Sequence, residues 1–126
     1  MNRYTELSDF EINKKVADLI GATPFPIGTT EYRRSAVSGC ESSIIIRSPN
    51  KVGSFDPCNN PADAMPIVIE NGISLIFDTG CKAWVAGIAY WVDGCEWQVS
   101  HKVERMNQYR AAMELFLMMK DAENEG

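Results

Sequence analysis

The stretch Asp56-Pro57-Cys58-Asn59-Asn60-Pro61-Ala62-Asp63 gathers two carboxylates, two amides and a thiol in one proline-punctuated corner. Carboxylates accept hydrogen bonds, and asparagine amides both donate and accept them. A stiff corner of this kind suits reading the edges of a base or a ribose. Arg33, Arg34 and Arg47 stand upstream. A guanidinium meets a phosphate through two parallel hydrogen bonds. Trp84 offers a flat face on which a base can stack. Asp56, Asn59, Asn60, Asp63, Arg33, Arg34, Arg47 and Trp84 therefore form the candidate ligand-binding set, and their chemistry is recognition of a small polar ligand. The plainer reading assigns the asparagines and aspartates to caps and turns, and the arginines to a solvated strand.

Catalytic readings are weaker. His101 is the one histidine, and nothing in the sequence sets it beside Cys58 or Cys95 as base and nucleophile. The Asp78-Thr79-Gly80 triplet is ordinary hairpin chemistry. No phosphate-cradling glycine loop of the two common types occurs. A small hydrolase using Asp56, Asp63 or His101 is the last-ranked alternative. Cys40, Cys58, Cys81 and Cys95 form no close pair, so neither a metal site nor a cofactor is expected.

The elements that must position these residues are readable. Ser8 and Glu11 have the spacing of a capping box, and Ile12, Val16, Leu19 and Ile20 recur at helical spacing, which predicts a helix over residues 9–20. Gly21 ends it. A strand is possible over 31–37, and Ser43-Ile44-Ile45-Ile46-Arg47 is a better one. Residues 48–60 read as a long loop. Asn60 caps a helix with Pro61 at its first position, and Pro66 predicts that this helix breaks into two short turns near Met65. Strands over 73–77, 83–92 and 95–101 form a meander whose second turn is Asp93-Gly94. Asn107 caps a last helix over about 108–121, with Tyr109, Ala112, Met113, Phe116 and Leu117 as its buried stripe. The expected fold is α+β in one domain, residues 1–126. An antiparallel sheet, the three-stranded meander plus one or two N-terminal strands, carries the N- and C-terminal helices packed on one face.

The chain has 126 residues and a formal net charge of −5. That charge argues against duplex nucleic acid and anionic membranes as partners. Four basic residues stand against one acidic residue between Tyr32 and Phe55, whereas residues 61–126 hold five basic and ten acidic. One edge is thus expected to be positive on an acidic body. The opening residues lack the apolar run of a secretory signal, which points to the cytoplasm. Trp84 and Trp91 are an odd number of residues apart, so one of them faces away from the main core, where a homo-oligomer contact is the commoner use.

Three blocks carry a family resemblance. Tyr4-Thr5-Glu6-Leu7-Ser8-Asp9-Phe10-Glu11-Ile12-Asn13-Lys14, then Cys58-Asn59-Asn60-Pro61-Ala62-Asp63-Ala64-Met65-Pro66-Ile67 with Ile73-Ser74-Leu75, then Arg110-Ala111-Ala112-Met113-Glu114-Leu115-Phe116-Leu117-Met118-Met119 resemble NinX-like proteins of lambdoid bacteriophages. The resemblance implies an accessory phage product in the cytoplasm of the infected bacterium, and it supplies no catalytic residue. By analogy with other small phage accessory proteins, it implies counter-defence, either by sequestering a nucleotide-derived host signal without enzymatic action or by inhibiting a host protein through an apolar patch of tryptophan with Met106, Met118 and Met119.

Overall fold

The computed structural model describes residues 2–49 and 51–125. Helix α1 (Asp9–Leu19) begins where Ser8 Oγ accepts from the Glu11 amide at 3.2 Å. It buries Ile12, Asn13, Val16 and Ala17. Leu19 and Ile20 are exposed instead of extending that stripe, because the chain turns away at Gly21 with φ +83°.

Strands β1 (Thr23–Pro24) and β2 (Arg33–Arg34) lie end to end along one edge of β3 (Ile44–Ser48). Strand β4 (Lys51–Phe55) pairs antiparallel along the other edge, from Ser48↔Lys51 to Ile44↔Phe55. The long loop expected over 48–60 is therefore half strand. Lys51-Val52-Gly53-Ser54-Phe55 lacks a β-branched run, and it is the partner strand Ile44-Ile45-Ile46 that makes it extended. Ile44, Ile46 and Phe55 point to the core, and Ile45 and Arg47 point away.

Helix α2 (Pro61–Glu70) runs unbroken with Pro66 inside it, correcting the expected break. Proline costs the hydrogen bond to the carbonyl four residues back. That carbonyl belongs to Ala62, which is exposed like Pro66 itself, so water can take the freed acceptor. Ala64, Ile67 and Val68 are buried on the opposite side and hold the helix in register.

Strands β5 (Ser74–Asp78), β6 (Ala83–Val92) and β7 (Glu96–Arg105) form the meander in the order β5-β6-β7. The N-terminal strands do not extend it but make a second sheet, so the α+β class holds with two antiparallel sheets. Helix α3 (Gln108–Glu125) packs on the meander and also meets α1 and α2. Its residues 111–117 are buried all round, Glu114 included, not along a single stripe.

β7 is longer than residues 95–101 because a bulge lets it continue. Ala86 pairs with Val103 and Ile88 with Ser100, so His101 and Lys102 together oppose Gly87. His101 adopts φ +55° there. The extra residue switches the side-chain parity of the strand. Trp97 and Val99 face away from α3, yet Val103 is core and Arg105 reaches α3. Gly87 permits this crossing: a Cβ there would lie 2.2 Å from Val99 Cγ1 and 2.9 Å from the Ser100 carbonyl oxygen. Gly87→Ala is accordingly expected to lower stability by about 1–3 kcal/mol, since an interior that cannot shift resents even one methyl. Urea denaturation measures it, and an unchanged midpoint would show that β7 is free to move off β6.

Candidate functional site

The asparagine-proline corner is a clamp. The Asp56 carboxylate accepts from Asn13 Nδ2 at 2.7 Å and Asn59 Nδ2 at 3.1 Å through Oδ1, and from Ser42 Oγ at 2.6 Å through Oδ2. Asp63 Oδ2 accepts from the Asp56 amide at 2.9 Å, and its Oδ1 takes Lys51 Nζ at 2.6 Å. Asn60 Oδ1 caps α2 through the Ala62 amide at 3.0 Å. Asn59 donates to Asp9 Oδ2 at 3.1 Å and accepts from Asn107 Nδ2 at 3.0 Å. Asn107 also donates to the Cys58 carbonyl at 2.8 Å. The corner thus ties α1, the approach to β3, α2 and the start of α3 together. Asp56 and Asp63 are buried and Asn59 and Asn60 exposed, and all four side chains bond to groups of their own fold.

The arginines divide. Arg34 lies over the Phe10 ring, its guanidinium carbon 3.9 Å from the centroid, and donates to the Glu41 carbonyl at 2.8 Å. Arg33 and Arg47 are exposed, and among the described residues neither guanidinium has a partner. Arg33 pairs across to Ile45, and Arg47 stands two residues further along β3, so the two share the outer face of the N-terminal sheet. Beside Arg47 is a hollow of about 250 Å³ lined also by Gly21, Thr23, Ser48 and Pro49. Trp84 belongs to the other sheet. It is half-buried and meets Phe77 edge-on at 5.3 Å between ring centroids. It shares the α3-facing side of β6 with Ala86, so the structure does not bring it to the arginines.

Groups with catalytic potential are scattered. Cys58 is wholly buried, and burial, with Asp9 nearby, pushes its thiol far up, which leaves it a poor nucleophile. His101 is exposed at the bulge with Nδ1 3.0 Å from Ser100 Oγ. Asp78, Cys81 and Glu104 bring their donor atoms within 4.8 Å of one another at the β5–β6 turn. The Asp78 carboxylate already accepts from the Cys81 and Gly80 amides, which hold it below the usual carboxylate range, and Asp78 in turn raises the Cys81 thiol. An ordinary side-chain-to-backbone turn accounts for this grouping.

Two larger features lie outside the candidate ligand-binding set. An apolar groove of about 440 Å³ runs between Met118 and Met119 of α3 and the β7 bulge at His101. On the opposite side of the meander, Trp91 and Trp97 stand directly across from each other and exposed. The odd spacing of Trp84 and Trp91 anticipates an outward tryptophan, but the groove depends on a bulge that no local sequence signal marks. Among the described residues, no helix is long and apolar enough to cross a membrane.

No curated protein and no solved structure matches the chain. The sequence model of the family described as "Bacteriophage P22, NinX" does match, over residues 3–120, and so takes in the capped first helix, the clamped corner and most of the central last helix. With nearly the whole fold inside that match, the chain belongs to the bacteriophage P22 NinX family and is a phage accessory protein.

Proposed function

We propose that this protein works by binding and not by catalysis, and that it sequesters a small anionic, nucleotide-derived host signal on the outer face of its N-terminal sheet. The observation that carries the reading is the pair of guanidiniums, Arg33 and Arg47, that share one sheet face and have no partner among the described residues. Diagonal neighbours of this kind stand about 7–8 Å apart at the backbone. Flexible side chains of that spacing can converge on one phosphate or take two linked ones. Each guanidinium can supply two parallel hydrogen bonds. Thr23 and Ser48 line the hollow beside Arg47; their hydroxyls donate to the Arg47 carbonyl at 3.3 Å and the Lys51 carbonyl at 3.2 Å, which leaves each oxygen to accept from a ribose hydroxyl.

The acidic remainder of the chain favours a small ligand over a long polyanion, because a duplex would meet repulsion beyond this patch. Trp84 takes no part in the reading, and neither do the four corner residues. Calorimetric titration with a cyclic dinucleotide, an ADP-ribose derivative and inorganic phosphate tests it. Binding of one nucleotide is expected, weakened about tenfold or more by Arg33→Ala or Arg47→Ala, the loss of one charge-assisted contact. Both positions are exposed, so their denaturation midpoints should stay with the wild type. Flat titrations for every nucleotide would overturn the proposal.

A further inference from the structure

We propose that the outer face of the meander is the two-fold interface of a homodimer, with a second copy of this chain as its occupant. One side of this sheet is covered by α3. The other carries Ile76 of β5, Val85 and Trp91 of β6, and Trp97 and Val99 of β7, apolar residues pointing away from α3; for the β7 pair it is the parity switch that separates their facing from that of Val103. Trp97 is 68% exposed, Trp91 50% and Ile76 41%. The two indoles meet edge-on at 5.5 Å between centroids and form a ridge near the Asp93-Gly94 turn.

What singles out a second copy is that the ridge and a hollow share this face. From Trp97, which forms one wall, a shallow hollow of about 530 Å³ runs towards the other end of the strands, with Ile76, Val85, Val99 and Lys102 also in its lining. A two-fold axis between the two features sets each ridge into the hollow of the other copy, the self-complementarity that an isologous contact requires. The same operation carries the exposed Asp93 of one copy towards the exposed Lys102 of the other, opposite charges at the rim. A tryptophan presents about 250 Å². At the exposures given, the indole pair offers about 300 Å² per copy. Two copies therefore bring about 600 Å² from the indoles alone, the scale of a weak, reversible contact. A reversible dimer is the expected form. The arginine pair lies on the other sheet, so this interface stands or falls apart from the anion-binding reading.

Sedimentation of the full chain over about 5–200 µM, a range that brackets micromolar affinity, tests it. The wild type should move from one towards two protomer masses, with its indole emission shifting to the blue as the dimer forms. Trp97→Lys should weaken self-association about tenfold or more, as loss of a central aromatic does. Its urea midpoint should match the wild type, because Trp97 is no part of the core. A wild type that stays at one protomer mass, whatever else the face captures, would overturn the proposal, and so would a dimer that Trp97→Lys leaves intact.

Discussion

Glu114→Ala is expected to lower the unfolding free energy by about 3–5 kcal/mol, the cost of removing one partner from a buried ion cluster. Glu114 is fully buried in α3. Its Oε1 accepts from Asn2 Nδ2 at 2.6 Å and Arg105 Nη2 at 2.7 Å, and its Oε2 from Arg105 Nε at 2.9 Å and Arg110 Nε at 2.6 Å. Arg110 has only 12% of its side chain exposed and also donates to Asp9 Oδ1 and the Tyr4 carbonyl. One carboxylate therefore joins the N-terminal segment, β7 and α3, and its removal leaves two guanidiniums sharing the acceptors that remain.

The same residue sets an acid dependence. Burial by itself would raise the Glu114 carboxyl, but the hydrogen bonds from Arg105 and Arg110 outweigh it and hold the group below the usual glutamate range. A folded value below the unfolded one means that the contribution is complete above the ordinary carboxyl value and is lost as pH falls through the folded one. The gap between wild type and Glu114→Ala in urea denaturation should be widest at neutral pH and narrow in acid. Equal midpoints at neutral pH would show that the cluster stabilises nothing.

Local signals in the sequence sufficed where the structure is local. Ser8 caps α1, Asn60 caps α2, and Asn107 Oδ1 accepts from the Tyr109 amide at 2.9 Å to cap α3, each as its residue type predicts. Asp93-Gly94 turns the β6–β7 hairpin. The differences arise where partners distant in sequence decide. β4 is a strand because β3 is beside it. α2 survives Pro66 because its buried face outweighs one lost hydrogen bond on the solvent side. The bulge at His101 is set by Gly87 across the strand, and only the bulge gives Val103 and Arg105 their facing. The candidate site shows the same limit. Residue types identified the corner as special, but whether an amide faces a ligand or a neighbouring backbone depends on what folds against it. Asn13 and Ser42 lie far from Asp56 in sequence, and nothing in their types marks them as its partners. The outward facing of Arg47 was legible in principle, because strand parity sets it opposite to Ile44 and Ile46.

Asn13→Leu should cost about 2–5 kcal/mol although it places a larger apolar side chain in the core. Asn13 is wholly buried on α1, among Ile12, Val16 and Ala17. A hydrophobicity argument alone would favour leucine there. The hydrogen bonds decide otherwise. Asn13 Nδ2 donates to Asp56 Oδ1 at 2.7 Å and to the Ser42 carbonyl at 3.0 Å, and Asn13 Oδ1 accepts from the Cys58 amide at 3.2 Å. Leucine can meet none of these groups, so the Cys58 amide is stranded and the Asp56 carboxylate loses its shortest bond from an amide. Each unsatisfied buried group costs about 1–3 kcal/mol, and more for a charged one. Asp56→Ala removes the other side of the clamp, and because the two share a hydrogen bond, the double variant should lose less than the sum of the single losses by about 0.5–3 kcal/mol. Urea denaturation of the four proteins measures this coupling. If Asn13→Leu unfolds with the wild type, or the two losses simply add, the corner is not a clamp, and its polar groups are again free for a ligand.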